Sequence, residues 1–425
     1  MVPWLIRAAA MRPQRLALIS SGERLTYAEL EARARRAAGA LVQRGIGPGD
    51  RVALALPAGS SFCAALHGCA LVGAVAVPID PRLARVERQD RLRGVSLVVQ
   101  AALDGPPLRR VRDAHADEVA TLMYTSGTTA SPKPVPLSYR NWLASALGSA
   151  AALGLDPDER WLCPLPLAHV GGLSVLMRSA VYGTTAVLHE RFDAAAAAAV
   201  LSDPRDRITL VSVVATMLER LLVAGLRRPP TLRWALLGGG PIPEGLVARA
   251  RDAGVPIAPT YGMTEACSQI ATFGWPLPEA EVAISPAGEV LVRGPTVSRA
   301  ALAADGWLHT GDLGALDERG KLTLTGRVSE LIVSGGENVA PVEVEEVLRS
   351  HPKVADAAVF GRPDSEWGEV VVAAIVPRDG VAVDAEELGC HCGKRLARFK
   401  IPKKFELVET LPRTASGKLA RRSLR

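Results

Sequence analysis

Between Val119 and Pro136 the chain reads VATLMYTSGTTASPKPVP, an apolar run that empties into a loop of hydroxyls and small residues closed by one lysine. The run from Val119 to Tyr124 reads as a buried strand. After it, Thr125, Ser126, Gly127, Thr128 and Thr129 offer backbone N–H groups and hydroxyl donors within one turn, and Lys133 adds a mobile positive charge. Such a loop suits a polyphosphate. Its spacing is not G-x-x-x-x-G-K-[ST], because the lysine follows the small-residue run and is flanked by Pro132 and Pro134.

Further along, TYGMTEACSQI holds Glu265 after a short strand, where its carboxylate can ligate a hard cation such as Mg2+. Thr264 can hand a hydroxyl to a phosphate, and Tyr261, beside Gly262, presents a flat face. Gly238, Gly239 and Gly240 follow an apolar run and leave backbone bare of Cβ, so a flat ring can lie on it. Alone, the triplet reads equally as a tight strand-to-helix turn. His169, in PLAHVGGL, stands at a strand-to-glycine junction; on residue type alone a single histidine is read as structural. Asp312, in GWLHTGDLG, is expected on a tight turn, where a carboxylate can accept from two vicinal hydroxyls. Lys418 closes PRTASGK and on its own would be a solvated lysine near a chain end.

Together YTSGTTASPKPV, TYGMTEACSQI, HTGDLG and PRTASGK resemble the adenylate-forming superfamily of acyl-CoA synthetases, luciferases and peptide-synthetase adenylation domains. That resemblance implies activation of a carboxylic acid as an acyl adenylate and its transfer to a thiol, with ATP, Mg2+ and CoA as cofactors. Residues 125–129 and Lys133 would clamp the pyrophosphate side. Gly238 to Gly240, Tyr261 and Gly262 would hold adenine, Asp312 the ribose, Thr264 the α-phosphate and Glu265 the metal. Lys418 would stabilise charge at the attacked phosphorus, and His169 would lie beside the acyl pocket on the thiol's route. Arg327 would close the first domain and Ser329 would be the hinge. Gly335, Gly336, Glu337 and Asn338 would form the face presented for thiolation.

Within the superfamily, the strings LPLAHVGGLSVLMRSAVYGTTAVL, VSVVATMLERLL and LLGGGPIP most resemble ligases of an aromatic diacid. Such a substrate keeps a second carboxylate, so its pocket needs a cation or several donors. Arg220, expected one helical face along from Ser212 and Thr216, is the first candidate and Arg178 the second; either reads equally as a surface arginine. Another aryl- or acyl-CoA ligase, or an adenylation enzyme that loads a carrier protein, is the alternative. So is a nucleotide-binding but catalytically impaired relative, because Ala130 and Pro134 replace glycines common in the loop and Ser138 stands where many relatives have histidine. The absence of G-x-S-x-G around Ser174 argues against a hydrolase.

The elements needed to position these residues are those of an α/β fold. A large N-terminal multi-subdomain α/β domain over 1–327, with sheets flanked by helices and a small β part, is expected before a small mobile α+β C-terminal domain over 328–425. Thr26 with Glu29 three residues on marks a capping box, and Gly45 a helix stop. The runs from Asp50 to Leu56, Ser60 to Ala74 and Val75 to Ile79 spell a strand, a helix and a strand. The segment from Pro81 to Asp117 reads as short and irregular, and it and the stretch after Thr272 look trimmed.

At 425 residues, 48% hydrophobic and 22% charged, the composition is that of a folded globular protein. The net charge of +6 comes from scattered arginines without a basic, aromatic-interleaved run, which argues against nucleic acid and suits anionic small molecules. Six cysteines without C-x-x-C read as free thiols, and with them goes a cytoplasmic location. Pro3, Arg7, Arg12 and Pro13 break the N-terminus, and the longest apolar run is too short for membrane insertion. A homodimer is left open.

Overall fold

The computed structural model describes all residues except 126–131, 335–336, 366, 414–418, 420 and 425, and describes 86, 329, 338 and 422 by backbone alone. The chain divides into two compact units, Met1–Glu281 with Val292–Leu308, and Val282–Leu291 with His309–Arg425.

In the first unit the capping box forms as expected: Thr26 accepts from the Glu29 amide and Glu29 accepts from the Thr26 amide, at the head of helix Tyr27–Gln43. Helix Ser60–Val72 follows strand Arg51–Leu54 and returns to strand Val75–Pro78, which runs parallel to the first. This is the βαβ unit read from the sequence. The segment from Pro81 is more regular than expected, since it holds helix Arg85–Arg91 and strand Leu97–Val99. The short apolar run at 97–99 adds itself to Arg51–Leu54 and so gains a ladder that the sequence alone did not promise.

Among the described residues, that edge strand opens a five-stranded sheet ordered Leu97–Val99, Arg51–Leu54, Val75–Pro78, Val119–Thr125, Lys133–Ser138. A nine-stranded sheet holds the parallel strands Arg160–Cys163, Thr185–Leu188, Leu210–Val213, Trp234–Leu237 and Ile257–Met263, continued antiparallel by Ser268–Thr272. One core cluster joins the helices to the sheets through Tyr27, Phe62, Trp142 and Trp161, all nearly sealed from solvent. Burying such large apolar surfaces is the main source of stability here.

The second unit has its own core, in which Ile332, Val344, Leu348, Val359 and Ile375 are sealed. Helices Pro341–Arg349 and Ala385–Gly393 accompany a sheet ordered Glu337–Val339, Ile332–Ser334, Gly368–Pro377, Val354–Asp364, with Lys404–Leu407 also on Gly368–Pro377. A buried carboxylate, Glu345, receives Arg421 through two hydrogen bonds of 3.0 and 2.8 Å and the Val359 amide at 2.8 Å. Another guanidinium nitrogen of Arg421 reaches Glu330.

Candidate active site

Strands Val119–Thr125 and Lys133–Ser138 run antiparallel, and Thr125 lies opposite Lys133. The exposed lysine therefore leaves the sheet beside the hydroxyl that starts the loop. Ser126, Gly127, Thr128, Thr129 and Ala130 lie outside the described residues. Pro134 and Pro136 sit opposite Tyr124 and Leu122 on what is an edge strand. Neither position donates to the ladder, so the donor that Pro134 lacks costs the sheet nothing. Ser138, with no histidine here, caps helix Tyr139–Leu153 in a second capping box with Asn141.

Glu265 stands in a single 3-10 turn, Thr264–Ala266, directly after strand Ile257–Met263. Tyr261, Thr264 and Glu265 are all half-buried. Gly262 is required by packing, because a Cβ there would lie 1.7 Å from the Ser268 carbonyl oxygen. The triplet closes strand Trp234–Leu237, and Gly238 likewise has no room for a Cβ, which would meet Thr260 at 2.7 Å. Gly239 has φ +83°, and it and Gly240 are exposed at the strand end. Sterics inside the sheet thus explain Gly238 and Gly262 before any ligand is considered.

His169 occupies the N-cap position of helix Val170–Tyr182, exposed, with its amide donating to Pro166. Near it lies Asp80, which the sequence reading missed. Burial works against ionisation of Asp80, but the hydrogen bonds from Arg82 outweigh it, His169 adds to the effect, and the carboxyl is held below its ordinary range. Its position just past the end of a parallel strand is the signal that could have found it.

The two candidate arginines fall in opposite environments. Arg220, with half-buried Thr216 one turn before it on helix Ala215–Val223, is exposed and lies 5.0 Å from the Phe192 ring centre. Ser212 is not on that helix but on strand Leu210–Val213, and its hydroxyl accepts from the Trp161 indole at 2.9 Å. Arg178 is 1% exposed. It donates to Ser145 at 3.1 Å and lies over Trp161, while its Nε and Nη1 have no hydrogen-bond partner among the described residues. Burial depresses its affinity for the proton.

In the second unit Asp312 is not on a tight turn but within strand Leu308–Leu316, paired with Arg327 on strand Leu322–Arg327. The cross-strand pair places opposite charges face to face, with Arg327 Nε donating to Asp312 at 2.5 Å. Ser329 lies in the turn Val328–Glu330, and Glu337 is exposed on strand Glu337–Val339, which also carries the Asn338 backbone. Gly335, Gly336 and Lys418 lie outside the described residues.

The model of the AMP-binding enzyme family matches residues 5–104 and 96–300, and that of the AMP-binding enzyme C-terminal domain matches 343–418. The chain belongs to the AMP-binding enzymes. It is 39% identical to a 2-succinylbenzoate–CoA ligase of Bacillus licheniformis, over 99% of this chain and 98% of that protein. The Bacillus subtilis ligase of the same name is also 39% identical, over 99% and 97%. Both alignments run to 475 positions against a chain of 425, so this AMP-binding enzyme is trimmed relative to them. Among solved structures, o-succinylbenzoate CoA synthetase from Bacillus subtilis with the acyl-adenylate intermediate OSB-AMP superposes with a TM-score of 0.90 at 38% identity, covering 100% and 98% of the two chains. The same enzyme with ATP and magnesium also gives 0.90 at 38%, covering 99% of each.

For an AMP-binding enzyme the donor set around the 3-10 turn is chemically apt. The half-buried Glu265 carboxylate makes no ion pair among the described residues, and a single hard oxygen donor of this kind suits Mg2+ shared with phosphates.

Proposed function

We propose that this protein is an ATP-dependent acid–thiol ligase that joins o-succinylbenzoate to CoA through an acyl adenylate. The match to 2-succinylbenzoate–CoA ligases along 99% of the chain carries this reading. A carboxylate is a poor acyl donor; exchanging its oxygen leaving group for AMP makes thiol attack feasible.

In the first half-reaction the acid's carboxylate attacks the α-phosphate in line, and pyrophosphate leaves toward residues 125–129 and Lys133. Thr264 donates to the α-phosphate, Lys418 meets the charge that develops there, and Asp312 with Arg327 holds the ribose. Gly238, Gly239, Gly240, Tyr261 and Gly262 form the adenine wall. Glu265 would hold Mg2+, which supplies charge neutralisation on the phosphate oxygens. In the second half-reaction the thiol of CoA attacks the acyl carbon past His169, and AMP departs. The functional boundary we propose falls after Arg327, with residues 328–425 turning about Ser329 to exchange Lys418 for the face of Gly335, Gly336, Glu337 and Asn338. The buried thiols of Cys63, Cys69, Cys163 and Cys267 fit a reducing cytoplasm.

For the substrate's second carboxylate we place Arg178 ahead of Arg220. Two nitrogens of a sealed guanidinium without an acceptor among the described residues are costly unless one arrives, whereas Arg220 is already solvated and stacked. In a pyrophosphate-release assay the wild type should favour o-succinylbenzoate over benzoate, and Arg178→Leu should reduce that preference by on the order of tenfold or more. An unchanged preference would remove Arg178 from the pocket, and no response to o-succinylbenzoate in the wild type would remove the substrate.

A further inference from the structure

Two parts of the proposed nucleotide site, the strand that carries Lys133 and the turn that carries Glu265, are bound to one another through a short segment that none of the motifs includes. Ser298 is fully sealed from solvent. Its amide donates to the Glu265 carbonyl oxygen at 2.8 Å, and its hydroxyl donates to the Pro136 carbonyl oxygen at 2.6 Å. Pro136 is two residues from Pro134 on the edge strand, and its carbonyl faces away from the ladder, so no strand competes for it.

The same segment is held from its other side. Asn141, itself 5% exposed, donates through Nδ2 to the carbonyl oxygens of Pro295 and Val297 at 2.8 and 2.9 Å. Its Oδ1 accepts from the amide and the hydroxyl of Ser138 at 2.8 and 2.9 Å. The Asn141 side chain therefore has both donor hydrogens and both acceptor sites used, which fixes its orientation. Ser138 in turn is the last residue of the strand Lys133–Ser138. A closed ring of buried and partly buried hydrogen bonds results, running from the lysine strand through Ser138 and Asn141 to residues 295–298, and from Ser298 back to both the strand and Glu265.

We infer that Ser298, braced by Asn141, is a positioning residue for the adenylation half-reaction: it sets the separation between the lysine strand and the backbone of Glu265. The proposal rests on the reading of Glu265 as the carboxylate that holds Mg2+. Its physical content is that a carboxylate and a lysine acting on the same polyphosphate must keep a fixed spacing, and small misplacements cost large factors in rate. The hydroxyl of Ser298 is the one group in the ring that touches the strand and whose own amide touches the Glu265 turn. Ser298→Ala removes the first contact and leaves the second, so the turn keeps its backbone bond but loses its direct tie to Pro136, with the Asn141 brace left in place.

The test uses the full chain as wild type, Ser298→Ala, Ser298→Thr and Glu265→Gln. Calorimetric titration with ATP, once with Mg2+ and once with chelator, gives the factor by which Mg2+ tightens ATP binding. Adenylation is followed by pyrophosphate release, and thiolation separately by supplying synthetic acyl adenylate and CoA. Ser298→Ala should shrink the Mg2+ factor and slow adenylation by on the order of tenfold or more, with thiolation near wild type. Ser298→Thr, which keeps the hydroxyl, should recover the Mg2+ factor. A wild-type Mg2+ factor in Ser298→Ala, or adenylation and thiolation falling together, would show that Ser298 only supports the scaffold and overturn the inference. If Glu265→Gln keeps the wild-type Mg2+ factor, the reading of Glu265 fails and takes the inference with it. If Glu265→Gln loses the factor and Ser298→Ala does not, the inference alone fails.

Discussion

Two side chains sealed in the first unit show how burial sorts charge by residue type. Burial lowers the proton affinity of Arg178, a guanidinium that stays a cation in proteins, and a cation without an anionic partner among the described residues is poised for one. His67, on helix Ser60–Val72, starts near neutrality, and burial pushes it down to about 4, so it is neutral in the folded protein. The unfolded chain would take up a proton at about 6.5, and below that pH it binds more protons than the folded chain does. Stability is therefore full above that value and falls as the pH drops toward about 4. Between pH 7 and pH 5 this group alone should remove about 2 kcal/mol. Urea unfolding of the wild type and His67→Leu at both pH values checks this, the variant showing the flatter dependence. Equal slopes would mean that His67 is protonated inside the fold.

At the scale of elements, what carries the site is where strands stop and which strands are edges. The sequence reading placed the strand before the phosphate loop and the lysine after it, and both are as expected from an apolar run followed by small residues. It counted Pro134 toward a catalytically impaired relative, because edge position is a property of the sheet and not of the strand's own residues. Strand Leu97–Val99 was missed for a similar reason: three residues carry no period and gain their structure from the ladder with Arg51–Leu54. Asp312 was expected on a turn because glycine and aspartate usually mark one, and the partner that makes it a strand residue, Arg327, lies fifteen positions on. Helix Pro341–Arg349 shows the same dependence on distant chain. Its Glu345, only 1% exposed, has a main partner in Arg421, far along the chain. Removing one side of a buried pair leaves the other uncompensated, so Arg421→Leu should destabilise the second unit by about 3 kcal/mol. Thermal unfolding followed in the second unit would show it, and a change near zero would mean that Arg349 alone suffices for Glu345.

The whole molecule joins two compact units that differ in what the sequence revealed about them. The first was readable from motifs that end strands, since the candidate residues for phosphate and metal cluster there within short stretches of chain. Less readable were the residues that tie motifs together: Ser298 and Asn141 belong to no motif, and the role we infer for them follows from hydrogen bonds across long sequence separations. In the second unit, 309–327 pack with the C-terminal part, while the functional boundary we propose follows Arg327. A contact-based division and a pivot need not coincide, because a hinge is set by a few backbone torsions and not by the density of packing around it. The central claim is that one chain performs two half-reactions on one aromatic diacid. The most direct measurement is mass-spectrometric detection of products from purified protein given ATP, Mg2+, CoA and a panel of acids. The account predicts o-succinylbenzoyl-CoA and AMP in equal amounts, with o-succinylbenzoate consumed faster than benzoate or any fatty acid; AMP without acyl-CoA, a different preferred acid, or no product at all would contradict it.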